Sequence, residues 1–328
     1  LCVTLIALLG GCTSTSVTEK YQDKRNDIIN VKDKVIEFET GNVLIGSVSR
    51  LYMSNKCLLI ADHKSVDKQI HIFNKNDFSY LTSIGNFGEG PEEITVMGCL
   101  AIDEAHHQLY VSDHAKQKIF SYDMDSVMVD SLYKPQVKTA MNETLFPSEY
   151  QYINDTLSIA VLIKPTSTST FNQFLGRWNM NTGEMIPMKY THPDIQKKRI
   201  TFAASEKAGI YVECYTRHDL MTICSLDGEL LYNIYGPDWD GGNGNKLQSF
   251  GTVMIGNDKI FVSYCGEDYA RDSFPTKILV FDLEGNYLKT LETGYKISDC
   301  CYDSFNNRII LSLNDVVQFA YLDIDGII

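Results

Sequence analysis

A short apolar run of strand-like composition returns six times along this chain, at Leu58-Leu59-Ile60-Ala61, Leu109-Tyr110-Val111-Ser112, Leu157-Ser158-Ile159-Ala160, Ile210-Tyr211-Val212-Glu213, Ile260-Phe261-Val262-Ser263 and Ile309-Ile310-Leu311-Ser312. The starts at 58, 109, 157, 210, 260 and 309 define a period of about fifty residues, which is the length of one supersecondary unit in a repeat fold. Polar turn clusters precede most of the runs, as at Asn154-Asp155 and Asn257-Asp258-Lys259, and read as hairpins. A second motif follows in phase, an apolar residue and then a polar turn: Phe73-Asn74, Tyr122-Asp123, Trp178-Asn179, Cys224-Ser225, Phe281-Asp282 and Leu322-Asp323. Each unit therefore reads as a four-stranded antiparallel meander, and six of them in tandem predict an all-β, six-bladed β-propeller.

Alternatives fit less well. No unit carries a helix-period stripe, which excludes helical solenoids, and a parallel β-helix has shorter coils and no hairpins. The near-continuous apolar inner runs also match blades that are covered on both faces by their neighbours. After Leu322 too few residues remain for an outer strand in the last unit. The run at residues 34–40, Lys-Val-Ile-Glu-Phe-Glu-Thr, is expected to supply that strand, so that an N-terminal strand closes the ring and removes an exposed edge.

The segment Ile84-Gly85-Asn86-Phe87-Gly88-Glu89-Gly90-Pro91-Glu92-Glu93, followed by Gly98-Cys99-Leu100-Ala101-Ile102-Asp103 and Leu109-Tyr110-Val111-Ser112-Asp113, resembles the inter-blade signature of NHL-like and TolB-like six-bladed propellers. It is similar above all to six-bladed propeller lipoproteins of Bacteroidales-type gut bacteria. The resemblance covers residues 34–328 and implies fold rather than activity. Only the first inter-blade loop keeps the glycine-rich form. As a phosphate cradle that loop is unconvincing, because its spacing is GxxGxG, Pro91 follows, and a strand rather than a helix comes next.

The N-terminus reads as an address. Residues 1–11, LCVTLIALLGG, form an apolar run too short to span a bilayer and end in small residues, as in a secretory signal peptide. Leu9-Gly10-Gly11-Cys12 resembles the bacterial lipobox, which implies lipidation of Cys12 and stable anchoring through more than one acyl chain. Thr13 after the cysteine implies sorting to the outer membrane, on its periplasmic or its surface side. Residues 13–33, Ser/Thr-rich and then charged, read as a flexible tether, so the domains are a signal peptide (1–11), a lipidated tether (12–33) and a propeller (34–328).

Composition narrows the partners. With 42 acidic against 29 basic residues the net charge is -13, which repels phosphate backbones and excludes nucleic acid. Beyond Cys2 and Cys12 seven cysteines remain, an odd number without CxxC spacing, several of them in strands; they read as small core residues rather than zinc ligands or a disulfide framework.

Three constellations are candidates for chemistry. Asp62-His63 and Asp113-His114 follow equivalent strands, with His218-Asp219 in a similar place, so all three are expected on loops at one end of the ring. They would form a metal or acid–base cluster at the channel mouth, or else merely cap strand ends; three of the six units lack the pair, which favours capping. In the loop Tyr235 to Asn245, Asp238, Asp240, Asn243 and Asn245 could hold calcium or another divalent ion, and Trp239 could stack on a ligand, although the spacing is not that of an EF-hand. Insertions at residues 164–173 and 265–277, the second with Tyr269 and Arg271, are expected at the same end and suit a binding surface. GxSxG, HExxH and Walker motifs are missing from the sequence. Two functional expectations follow: a binding or scaffold module at the cell envelope for a small ligand, glycan or partner protein, or a lactonase-like hydrolase or lyase with a central metal.

Overall fold

A computed structural model describes residues 18–328 apart from 131, 243–245 and 272. The signal peptide, Cys12, the first tether residues, Asn243 and Asn245 lie outside the described residues. Six four-stranded antiparallel meanders form the blades, the last of them completed by an N-terminal strand. Blade 1 contains Ser49–Met53, Cys57–Asp62, Lys68–Asn74 and Tyr80–Asn86; blade 2 contains Met97–Asp103, Gln108–Asp113, Lys118–Asp123 and Gln136–Ala140. Blade 3 is built from Phe146–Asn154, Leu157–Pro165, Phe171–Trp178 and Met185–Pro187, and blade 4 from Ile200–Ser205, Ile210–Tyr215, Leu220–Ser225 and Leu230–Tyr235. Leu247–Gly256, Lys259–Asp268, Lys277–Asp282 and Tyr287–Glu292 make blade 5, while Ile297–Asp303, Arg308–Leu313 and Phe319–Asp323 begin blade 6. The first strand of every blade faces the central axis.

The expected ring closure is present. Val35–Glu37 pairs antiparallel with the third strand of blade 6 in the register Leu322↔Val35, Tyr321↔Ile36 and Ala320↔Glu37. Phe38 then inserts between the last and first blades, with its ring 3.9 Å from that of Phe78. At the same seam Asp303 of blade 6 accepts from Lys75 of blade 1 and from Arg308, and all three side chains are nearly sealed from water. The end of the chain and its beginning are thus joined by a backbone ladder, an aromatic stack and a buried ionic cluster.

The core consists of six apolar clusters, one in each interface between blades. Strand period two explains this, since adjacent residues point into different interfaces. Leu58 packs toward blade 6 and Leu59 toward blade 2; Cys300 and Cys301 divide in the same way. The second strands Cys57–Asp62, Ile210–Tyr215 and Arg308–Leu313 are buried at every position, as two-sided burial requires, while the outer strand Tyr80–Asn86 is mixed. All seven described cysteines are buried and unpaired.

Two expectations need correction. The tether expected over residues 13–33 is, from residue 18 onward, a strap laid on the ring. Glu19–Tyr21 adds a parallel fifth strand to blade 4 (Glu19↔Asn233, Tyr21↔Tyr235), and Ile28–Asn30 does the same for blade 5 (Ile28↔Thr290). Between them Arg25 enters the interface of blades 4 and 5 and meets Asp219 at 2.7 Å, with the two side chains only 6% and 0% exposed. Its guanidinium lies 5.5 to 5.7 Å from the rings of Phe250, Tyr264 and Phe281. Gly236 makes room for this contact, because a Cβ there would stand within 2.1–2.2 Å of the Asp219 carboxylate. The strap shows no apolar periodicity because most of it is held by backbone hydrogen bonds and polar side chains, such as Glu19, which accepts from the Tyr235 hydroxyl at 2.6 Å; Val31, at its end, is buried in the core between blades 5 and 6. The second correction concerns the insertions. Extension of the flanking strands narrows the loop expected at 164–173 to residues 166–170, and the strand Lys259–Asp268 likewise consumes the start of the 265–277 loop.

Candidate functional site: the central channel

The six first strands enclose a cavity of about 1160 Å³ along the axis. Charges midway along three of these strands border the cavity, whereas Asp303, at the end of its strand, is taken into the buried ionic cluster of the closing seam. Arg50, Glu149 and Asp299 occupy these positions on blades 1, 3 and 6. The Arg50 Nη1 donates to Glu149 Oε1 at 2.8 Å, and the two side chains remain 46% and 36% exposed. Blade 2 lies between them in the ring and presents Gly98 and Cys99 there. Gly98 is required by close approach: a Cβ would fall 2.3 Å from Ser112 Oγ and 2.5 Å from His114 Nε2.

Asp299 ties three blades together, accepting from Thr252 Oγ1 at 2.7 Å and from the Leu51 amide at 2.8 Å. Burial raises its pKa, partly offset by those hydrogen bonds and by Arg50. Burial also opposes the charge of Arg50, but the field of Glu149 and its hydrogen bond outweigh it and hold the guanidinium above its ordinary value. In the channel wall, burial pushes the Cys99 thiol up to about 12 and raises that of Cys300, so neither is a thiolate nucleophile at neutral pH.

Of the residues singled out from sequence, His63 and His114 line this cavity. Each Nε2 is buried without a hydrogen-bond partner, and burial lowers both pKa values, which keeps the rings neutral. Their neighbours Asp62 and Asp113 serve the fold. Asp113 accepts from the amides of Thr95, Val96, Ala115 and Lys116, and Asp62 from those of Gly46 and Lys64, so both carboxylates pin the loops that enter the next strand.

The other candidates are elsewhere. His218 packs against Tyr215 and Trp239, and Trp239 is covered by His192 and Tyr235 of its own chain. Asp240 lies 3.7 Å from the His218 ring, whereas Asp238 turns to the Tyr264 hydroxyl at 3.4 Å, so these two carboxylates do not converge. The Tyr269 ring carries the Arg217 guanidinium at 4.1 Å, and Arg271 pairs with exposed Glu267. His63, His114, His218, Tyr269 and Arg271 do share one end of the ring, that of the loops after the second strands. The one trio of convergent metal-type ligands among the described residues, Asp103, His106 and Asp155, is on the hairpins of the opposite end. A central metal thus finds no convergent set of His, Cys, Asp or Glu ligands in the channel among the described residues.

Arg50, Glu149 and Asp299 were not foreseen. The available signal was a charge inside an otherwise apolar first strand, as in Ser49-Arg50-Leu51 and Ser298-Asp299-Cys300.

A closed ring of six blades around a polar, charged channel defines a six-bladed β-propeller with an axial cavity. In sequence, residues 13–173 match the family DUF5128, described as 6-bladed beta-propeller. No curated protein matches the chain. Among solved structures it is similar to a Bacteroides fragilis protein assigned as exported (14% identity, TM-score 0.57, covering 90% of this chain and 87% of that one). It is also similar to a DUF4221 family member from Bacteroides vulgatus (9% identity, TM-score 0.61, 88% and 94%). A luciferin-regenerating enzyme shares the fold as well (8% identity, TM-score 0.58, 88% and 94%). At such identities the likeness is one of fold alone. No helix of the described residues is long and apolar enough to cross a membrane.

Proposed function

We propose that this protein is an extracytoplasmic binding module, held at the outer membrane by lipidated Cys12, whose channel takes a small polar ligand. One observation carries the reading: Arg50 and Glu149 stand half-exposed inside the ring, where apolar packing already supplies stability. Burying charges costs free energy unless they are paired and solvated, and a pair kept open to a cavity is arranged for a visitor. The exported B. fragilis protein supports the address, as does the lipobox-like sequence.

Ser298 lines the cavity from an exposed position, so Ser298→Trp fills the channel without opening a core interface. In a calorimetric screen of metabolites and oligosaccharides, this variant is expected to fold normally and to lose the ligand of the wild type; binding that survives the substitution would move the site off the axis. For the address, Cys12→Ser is expected to release the protein from the membrane fraction of an expressing cell, and unchanged fractionation would reject the anchor.

A further inference from the structure

We infer that the channel ligand is a small zwitterion, with a carboxylate received by Arg50 and an ammonium group received by Glu149 and Asp299. This deepens the channel reading above and rests on it. Arg50 uses only Nη1 on Glu149; its Nε and Nη2 have no protein partner among the described residues, and the side chain is half open to the cavity. A guanidinium edge free in this way is shaped for a carboxylate, which it binds through two parallel N–H donors. Glu149 likewise spends Oε1 on Arg50 and keeps Oε2. Each oxygen of Asp299 accepts one hydrogen bond, from Thr252 or Leu51, and an ionised carboxylate oxygen has capacity for another.

Charge decides between ligand classes. The inner cavity sets one guanidinium against two carboxyl groups, Glu149 and Asp299, and burial favours the neutral form of the nearby imidazoles of His63 and His114. A ligand with only a carboxylate would satisfy Arg50 but set a second carboxylate beside Glu149 and leave the acceptor side of the cavity unanswered. A neutral polyol would leave the ionic pattern unused. An ammonium and a carboxylate on one molecule answer both signs at once, each meeting its opposite in a medium of reduced dielectric. Lys64 also borders the cavity, but it sits exposed at the mouth, where solvent screens it. The cavity of about 1160 Å³ leaves room beyond the two charged groups for a side chain or a second residue. Free amino acids and short peptides present the same chemistry and are separated by experiment.

The test is isothermal titration of the purified propeller with the common α-amino acids, with dipeptides, with their N-acetyl and methyl-ester derivatives, and with galacturonate and glucosamine. At least one free amino acid or dipeptide is expected to bind, with both derivatives weaker by about tenfold or more, as loss of a charge-assisted contact implies. Glu149→Gln keeps the hydrogen-bonding shape but removes a charge; it should weaken the zwitterion by about tenfold, with an unfolding midpoint close to that of the wild type. A carboxylate-only ligand would respond with the opposite sign. If galacturonate binds, is lost in Ser298→Trp and tightens in Glu149→Gln, the zwitterion is wrong while the channel remains the site. Equal binding of free and N-acetyl amino acids would also overturn it. If no probe or screened compound binds in a manner sensitive to Ser298→Trp, the channel reading falls as well.

Discussion

Replacing Arg25 by alanine is expected to lower the free energy of unfolding by about 3–5 kcal/mol, the usual cost of removing one partner from a buried ion pair. The magnitude comes from what is left behind rather than from what the pair contributes. Asp219 is fully buried, and without the guanidinium its charge keeps only the Asp238 amide and the Tyr264 hydroxyl, at 3.2 and 3.5 Å. Burial already raises the Asp219 pKa in the presence of Arg25, whose field and hydrogen bond act against that rise. A carboxyl with a raised folded pKa weighs against folding above that pKa and is relieved as pH falls through it. Loss of Arg25 removes the opposing field, so the deficit of the variant should shrink on mild acidification at a higher pH than any such change in the wild type. Arg25→Ala/Asp219→Asn should recover most of the loss. Urea unfolding at several pH values measures all of this; a pH-independent deficit below about 1 kcal/mol would mean that the strap is peripheral to stability.

A chain beginning at residue 42 is expected to lose still more, with cooperative unfolding replaced by association or collapse at ordinary temperature. That truncation removes the ladder of Val35–Glu37, so the buried strand Phe319–Asp323 becomes an unpaired edge. It also removes Phe38, 9% exposed and stacked on Phe78, and truncating a core phenylalanine alone costs about 3–5 kcal/mol. A chain beginning at residue 33 retains the closure and loses the strap together with Val31, which is buried between blades 5 and 6, so it should remain monomeric and fold cooperatively at reduced stability. Size-exclusion chromatography with calorimetry distinguishes the two. Equal behaviour of both truncations would show that the belt across blades 4 and 5, rather than the closing strand, holds the ring.

Local pattern explains what was legible. Leu58, Leu109 and Ile309 recur because each blade must bury the same strand against neighbours on both faces, and burial leaves its mark in composition at every repeat. The closing strand was legible by counting strands, since the sixth repeat holds three of its own and the strand-like run at residues 34–40 precedes the first. His63 and His114 could be placed at the channel because each directly follows a recognisable second strand. Arg50, Glu149 and Asp299 were harder, since a charge next to apolar neighbours carries no sign of what lies across the axis.

By itself, then, the amino-acid order determined the number of blades, their strand order and the manner of closure, since these follow from periodic burial and from the count of strands in each repeat. Tertiary structure alone decided that the strap belongs to the ring and that Arg50 meets Glu149. Contacts such as Arg25 with Asp219, 194 positions apart, depend on geometry that exists only after the blades have closed, and polar pairing leaves no period in the chain to announce it.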